Sequence, residues 1–94
     1  MGFLFGSPGD KYSKEEKQLS EFDIKRMVSQ TNVRTLAIGE VELVERTIID
    51  RRRGDGKISL RQIYEVLTHL KDTNKISKYD RDGLMKVFTE YFSK

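Results

Sequence analysis

The stretch Ser59-Leu-Arg-Gln-Ile-Tyr-Glu-Val-Leu-Thr-His-Leu-Lys71 carries the strongest structural signal in this chain. Its apolar residues recur at the three-and-four spacing of a helix face that packs on a core: Ile63, Val66, Leu67 and Leu70. Ser59 precedes the stretch and Gln62 follows three positions later, which is the capping-box pattern that begins a helix. The stretch therefore predicts a helix over Leu60–Lys71.

Three more helices are predicted around that one, which makes the fold all-α, a single small domain of about four helices. The first covers Lys14–Gln30, the second begins near Gly39 and ends in the loop Arg51–Gly56, and the fourth covers Lys78–Tyr91. Ser13 with Glu16 and Ser77 with Asp80 repeat the capping pattern at two of the starts. Apolar spacing in the first helix predicts four inward side chains: Leu19, Phe22, Ile24 and Met27.

Two segments outside the helices carry their own predictions. Lys57–Ser59 and Lys75–Ser77 share the tripeptide Lys-Ile-Ser, each precedes a helix, and they are candidates for a tiny two-stranded pairing. Met1–Tyr12 contains an apolar Phe3-Leu-Phe5 followed by Gly6-Ser-Pro-Gly9, residues that interrupt regular structure. The sequence thus predicts a flexible lead-in over residues 1–12 and a helical domain over residues 13–94.

Composition limits the classes of function. The 94 residues include 18 Lys and Arg, 15 Asp and Glu, one His and no Cys, for a net charge of +3. Without cysteine, thiolate metal sites and disulfides are excluded, and a single histidine, His69, argues against a catalytic triad. We therefore expect no enzymatic activity and no cofactor. No apolar run approaches the ~20 residues that span a bilayer, and the absence of a secretory pattern predicts a cytoplasmic location.

The loop Asp50-Arg-Arg-Arg-Gly-Asp-Gly-Lys-Ile-Ser-Leu-Arg-Gln62 lies between two predicted amphipathic helices. Over about Gly39–Leu70 the chain resembles the EF-hand family of helix-loop-helix proteins. With Ile58 taken as loop position eight, Gly56 falls at position six, where the family needs glycine for a sharp turn. The resemblance implies a helix-loop-helix interaction or regulatory module.

The calcium ligands of that family are missing from this loop. Arg51 and Arg53 stand at positions one and three, where the family has carboxylates, and Gln62 replaces the bidentate glutamate at position twelve. Positive side chains repel a divalent cation, since like charges ~4 Å apart cost roughly 4 kcal/mol at a surface dielectric. We therefore expect an EF-hand-like loop that binds no calcium, and no metal site.

Two sets of residues are candidates for binding. Guanidinium and ammonium groups near exposed backbone amides suit phosphate or carboxylate partners, and five of them cluster around the loop: Arg51, Arg52, Arg53, Lys57 and Arg61. The last helix supplies aromatic side chains for apolar docking: Phe88, Tyr91 and Phe92. A groove between helices that takes a protein partner is the main hypothesis, with a homo-oligomer also allowed. The alternative is a small nucleic-acid-binding regulator that uses the basic loop.

Overall fold

The computed structural model of this chain describes residues 12–30 and 36–93. In chain order its elements are β1 (Glu16–Gln18), α1 (Glu21–Gln30), α2 (Ile38–Arg51), β2 (Lys57–Ser59), α3 (Leu60–Asp72) and α4 (Lys78–Phe92). The prediction of an all-α domain of four helices with a two-stranded pairing is confirmed. Within those two ranges, no helix is long and apolar enough to cross a membrane. The predicted lead-in lies outside the described residues, apart from Tyr12.

Helix α3 is the centre of the domain. It packs against both α2 and α4, while α1 packs against α2 and, less extensively, against α4. All four apolar residues predicted for its inward face are buried, and they meet buried side chains from every other helix. The members contributed by the other helices include Ile24, Val28, Val44, Ile48, Leu84 and Phe88.

Two of the three predicted capping boxes begin helices as expected. Ser59 Oγ accepts the Gln62 N–H at 3.1 Å, and Gln62 Oε1 accepts the Ser59 N–H at 3.0 Å. Ser77 and Asp80 exchange the same pair of hydrogen bonds at 3.0 and 2.9 Å. These reciprocal bonds satisfy backbone donors that the first helical turn leaves without partners, so they fix where α3 and α4 start.

The third predicted capping box, Ser13 with Glu16, does not form, so the predicted start of the first helix was wrong. Helix α1 begins at Glu21 because Ser20 is its cap: Ser20 Oγ accepts the Asp23 N–H at 3.1 Å. Ser13 Oγ instead accepts the Glu15 N–H at 3.0 Å. Of the four side chains predicted to face inward, Leu19, Ile24 and Met27 are buried as expected, whereas Phe22 is 73% exposed. Val28 is a further member of the core.

The partner assigned to the strand Lys57–Ser59 was also wrong. That segment is β2, but it pairs antiparallel with β1, in the register Glu16↔Ser59, Lys17↔Ile58 and Gln18↔Lys57. Lys75–Ser77 instead lies between α3 and α4, where the N–H groups of Lys75 and Ile76 both donate to the Leu70 carbonyl, at 2.8 and 3.4 Å. Part of the segment predicted to begin the first helix, Glu16–Gln18, therefore forms β1 and pairs with β2.

Candidate functional site

Arg52 is built into the fold. Its Nη1 donates to the Leu19 carbonyl at 2.8 Å, its Nε donates to the Ile49 carbonyl at 3.2 Å, and its Nη2 lies 3.7 Å from a Glu21 carboxylate oxygen. Only 17% of the side chain is exposed. A guanidinium whose donors already meet two carbonyls and a carboxylate has little left for a partner. Arg52 therefore ties the segment before α1 to the end of α2.

Arg53 and Arg61 hold the same N-terminal segment from two other points. Arg53 Nη1 lies 2.6 Å from Glu16 Oε1, and its Nη2 lies 3.6 Å from Asp55 Oδ2. The hydrogen bond to Glu16 raises the pKa of Arg53, with both carboxylates adding to the effect. Arg61 donates from its backbone N–H to the Ser13 carbonyl at 3.1 Å and from Nε to the Tyr12 carbonyl at 3.2 Å. Three of the five predicted anion-binding residues thus contact the chain itself.

The other two predicted basic residues face solvent. Arg51 and Lys57 are both exposed, and neither forms an ion pair with another residue in the described ranges. They are the part of the basic loop that is open to an anionic partner. The free positive charge of the loop is accordingly smaller than its sequence suggests.

The loop between α2 and β2 is closed by protein groups. Gly56 adopts a φ of 86°, and an added Cβ would lie 2.5 Å from Gln18 Nε2. That amide donates to the Asp55 carbonyl at 2.6 Å, and the Gly56 carbonyl accepts the Leu19 N–H at 3.0 Å. The Asp55 carboxylate accepts the Lys57 N–H at 3.2 Å. In residues 12–30 and 36–93, no three His, Cys, Asp or Glu side chains converge as a metal-binding group.

The three aromatic residues predicted for docking all take part in the fold. Phe88 is fully buried in the core. The Tyr91 hydroxyl donates to Asp23 Oδ2 at 3.3 Å, and burial, with the charge of that carboxylate next, raises the pKa of Tyr91. The Phe92 carbonyl accepts a hydrogen bond from Lys17 Nζ at 2.7 Å, with the ammonium 5.8 Å from the Phe92 ring centroid. Tyr91 and Phe92 therefore fasten α1 and β1 to the end of α4.

A groove of about 800 Å³ runs between α3 and α4, and the segment at Tyr12 forms part of its wall. Apolar and aromatic side chains make up its floor: Tyr12, Leu60, Tyr64 and Met85. Charged and polar side chains of α4 make up its rim: Lys78, Arg81, Asp82, Lys86, Thr89 and Glu90. We call this feature the α3–α4 groove.

The aromatic floor of the groove is held in place by neighbouring side chains. The Tyr12 and Tyr64 rings are 4.9 Å apart between centroids and tilted by 35°. Arg81 Cζ lies 5.2 Å from the Tyr64 ring centroid, a cation–π distance. Arg81 Nη1 also donates to Thr68 Oγ1 at 3.3 Å, which links α4 to α3. Aromatic surface fixed in this way loses little conformational entropy when it binds a partner.

The rim of the groove carries free positive charge. Arg81 already lies 3.2 Å from Asp82, whereas Lys78 and Lys86 are exposed and form no ion pair within the described part of the chain. Glu90 is an exposed acid on the same rim. Two free cations against one free acid favour a partner with negative charge beside its apolar residues.

Sequence reasoning missed the floor of this groove. Tyr64 falls one position after the inward residue Ile63, so it was not part of the apolar stripe that predicted α3. Its ring is half-buried, and Tyr12, far away in sequence, packs against it and forms part of the lining. The usable signal was an aromatic residue flanking the buried face of an amphipathic helix, which often marks a contact surface.

No protein-family model, curated protein or solved structure matches this chain.

Proposed function

We propose that this chain is a non-enzymatic protein-interaction or regulatory module, and that its interface is the α3–α4 groove. The observation that supports the proposal is the combination of a fixed aromatic floor, built on Tyr64, with free lysines on one rim. Apolar anchors in pockets with a polar border are the usual arrangement of a peptide-binding groove. The partner we propose is a protein segment whose apolar side chains are flanked by acidic residues.

The lining of the groove supports binding over catalysis. Its described residues include no histidine, cysteine or serine, so the serine or cysteine nucleophile paired with a histidine base has no counterpart there. The same proposal includes the cytoplasmic location expected from the sequence.

The EF-hand-like interpretation of Gly39–Leu70 stays within this proposal, as a helix-loop-helix that binds no calcium. It is supported by α2 and α3 flanking a short loop with a positive φ at Gly56. Gln62, which would close a calcium loop, accepts a backbone N–H from Ser59 instead. The loop therefore contributes to this module as a structural joint.

The direct test is a titration of the full-length ¹⁵N-labelled chain with a synthetic ten-residue peptide of leucine and phenylalanine flanked by glutamates. We expect amide shifts to concentrate at Tyr64, Met85 and Lys86. Because exposed ion pairs contribute about 0.2–1 kcal/mol each, the double change Lys78→Glu with Lys86→Glu should weaken binding by about tenfold.

A matched control is Lys57→Glu, which reverses an equally exposed charge on the basic loop and should leave peptide affinity unchanged. A lysine-flanked version of the peptide should bind more weakly than the glutamate version. Shifts that concentrate at α1 and α2 instead, or affinity that ignores both rim lysines, would contradict the proposal.

The alternative, nucleic-acid binding by the basic loop, has a specific observation in its favour: Arg51 and Lys57 are exposed together near the same loop. It also has a distinctive test. The logarithm of affinity falls with the logarithm of salt concentration by roughly 0.9 per phosphate contact. Contacts from those two residues alone predict a slope of about −1.8 with duplex DNA, while contacts from all five basic residues predict about −4.5.

A further inference from the structure

We propose that the exposed face of α4 is a self-association surface, on which a second copy of this chain binds with its own α4 antiparallel. This inference rests on the proposed function, because it names the second copy as a partner for the rim of the α3–α4 groove. It is carried by four charged side chains at four-residue intervals, which we call the α4 stripe: Lys78, Asp82, Lys86 and Glu90.

The α4 stripe is one continuous piece of surface. Its four side chains are all exposed, and all of them line the rim of the groove. Residues four apart are neighbours on a helix, so the stripe follows α4 for about 18 Å, at about 1.5 Å for each residue. Leu84 and Phe88 are fully buried on the other side of the helix, which leaves the stripe facing away from the core.

The charges of the α4 stripe are available to groups outside the chain. Side chains of opposite charge four residues apart can pair along a helix. Even so, Lys78, Lys86 and Glu90 form no ion pair with any residue that the structure describes. Arg81 contacts Asp82 twice, at 3.2 Å in each case, and both contacts reach Oδ1. The Oδ2 atom of that carboxylate can therefore accept a hydrogen bond from a further cation.

The order of the charges makes the α4 stripe complementary to itself. Two copies can pair antiparallel about a twofold axis that passes midway between Asp82 and Lys86. Lys78 of each copy then faces Glu90 of the other, and Asp82 of each copy likewise faces Lys86. All four contacts join opposite charges, as an interface between identical surfaces requires, whereas parallel pairing would place each charge opposite its own kind.

Helix α2 shows that this property is not a general result of alternating charge. It exposes a stripe with the same four-residue spacing, Glu42, Arg46 and Asp50. Antiparallel pairing of that stripe would place Arg46 opposite Arg46 and Glu42 opposite Asp50. Like charges across an interface are unfavourable, so α2 has the spacing but not the order that self-association needs.

The exposed face of α4 also carries an aromatic side chain. Tyr79 is 80% exposed, and in the antiparallel register it lies opposite Thr89 of the second copy. Tyrosine is enriched at protein interfaces. Ridges of residues four apart interdigitate when two helices cross at about 50°. One helix face lies at the small end of specific interfaces, so we expect a reversible dimer that salt weakens by screening exposed charges.

The test begins with sedimentation equilibrium of the full-length natural chain, from about 10 μM to about 1 mM. We expect a monomer–dimer equilibrium whose association constant falls several-fold between about 0.05 M and about 0.5 M salt. Lys78→Glu with Lys86→Glu gives an acidic-stripe variant, and Asp82→Lys with Glu90→Lys gives a basic-stripe variant. Each variant alone should self-associate at least about tenfold more weakly than the natural chain.

Mixing the two variants should restore the complex, because all four contacts again join opposite charges. With the acidic-stripe variant ¹⁵N-labelled, amide shifts should concentrate between Tyr79 and Glu90. A matched control is Lys25→Glu with Lys57→Glu, which changes the net charge by the same amount at exposed positions outside the α4 stripe and should preserve the dimer. A natural chain that stays monomeric throughout, or a mixture that does not associate, would overturn the proposal.

The antiparallel register has its own measurement. The chain contains no cysteine, so Ser93→Cys provides a single site for a nitroxide spin label just beyond the α4 stripe. Mixed with ¹⁵N-labelled natural chains, the spin-labelled chains should broaden the amide signals near Lys75 and Lys78. Broadening that concentrates near Ser93 would show parallel pairing and overturn the proposed arrangement.

Peptide affinity distinguishes this inference from the function on which it rests. The basic-stripe variant keeps the floor of the groove and both rim lysines, so the glutamate-flanked peptide should bind it at least as tightly as it binds the natural chain. Peptide binding by a natural chain that stays monomeric would overturn the inference and leave the proposed function intact. Self-association as expected, with no peptide binding to the basic-stripe variant, would sustain the inference and overturn the proposed function.

Discussion

The basic loop and helix α4 were both expected to bind partners, and the fold uses them in opposite ways. In the loop, charges that look free in sequence are bound by the chain itself: Arg52 donates to the Leu19 carbonyl and Arg53 to the Glu16 carboxylate. Helix α4 separates two sides, with Phe88 in the core and Lys86 on the rim of the groove. The lesson is that a cluster of charges predicts a surface site only where the backbone leaves those charges without internal acceptors.

The largest expected effect comes from altering the buried side and the groove side of α4 in separate variants. Phe88→Ala should lower the free energy of unfolding by about 3–5 kcal/mol, because it leaves a cavity at a fully buried position. Lys86→Ala, two residues earlier and exposed, should stay within about 0.5 kcal/mol. Urea unfolding followed by circular dichroism measures both, and similar losses for the two variants would show that α4 has no separate binding side.

The same contrast can be drawn within the loop, between neighbouring arginines. Arg52→Ala should cost about 2 kcal/mol, because charge-assisted hydrogen bonds to the Leu19 and Ile49 carbonyls are lost. Arg51→Ala should cost less than about 0.5 kcal/mol. The urea midpoints of the two variants measure this difference. Equal midpoints would show that the Arg52 hydrogen bonds do not stabilise the fold.

A smaller effect is expected from the two glycines of the loop. Gly56→Ala should cost about 1 kcal/mol or somewhat more, because its φ of 86° is unfavourable for a side chain. Gly54→Ala meets nothing within 4 Å and should be nearly neutral. Thermal melts of the two variants compare the positions directly, and an equally harmless Gly56→Ala would show that neither the positive φ nor the close approach of Gln18 restricts this position.

The smallest effect concerns the joint between α1 and α4. The pKa of Tyr91 is raised above its ordinary value of 10.0 by burial and by Asp23. Its contribution to stability is therefore complete below pH 10.0 and is lost as the pH rises through the folded-state pKa. Tyr91→Phe should lose less unfolding free energy than the natural chain between pH 9 and pH 11, as measured by urea titration at each pH. Parallel curves would contradict the role assigned to this hydroxyl.

The sequence was sufficient wherever local rules agreed with tertiary packing. The caps of α3 and α4, and the apolar stripe of α3, are decided within a few residues, and all were predicted. The start of α1 could not be predicted in this way, because Ser13 and Ser20 can both cap a helix. Which of the two begins α1 depends on whether β1 forms. That strand forms only because Ser59 lies opposite Glu16, 43 positions later in the chain.

The candidate site was less predictable for the same reason. The five basic residues were recognised, but their hydrogen-bond acceptors are carbonyls such as Leu19 O and Tyr12 O, which any residue supplies and no motif marks. The groove likewise depends on Tyr12 meeting Tyr64. The arginine contacts and the lining of the groove both depend on residues far apart in the chain. The spacing of apolar residues predicts only which neighbours share a helix face.

The hydrogen bond from Lys17 to the Phe92 carbonyl has a consequence for how the protein is made. Its two ends are 75 residues apart, so at the usual 5–20 residues per second the ribosome needs roughly 4–15 s between adding them. For part of that time β2 has not been synthesised and β1 has no partner strand. Tyr91, the hydrogen-bond donor to Asp23, is added only near the end of the interval. The domain therefore completes its fold only after its last helix has been added, and until then the nascent chain exposes the apolar surfaces of α1 and α3 that α4 later covers.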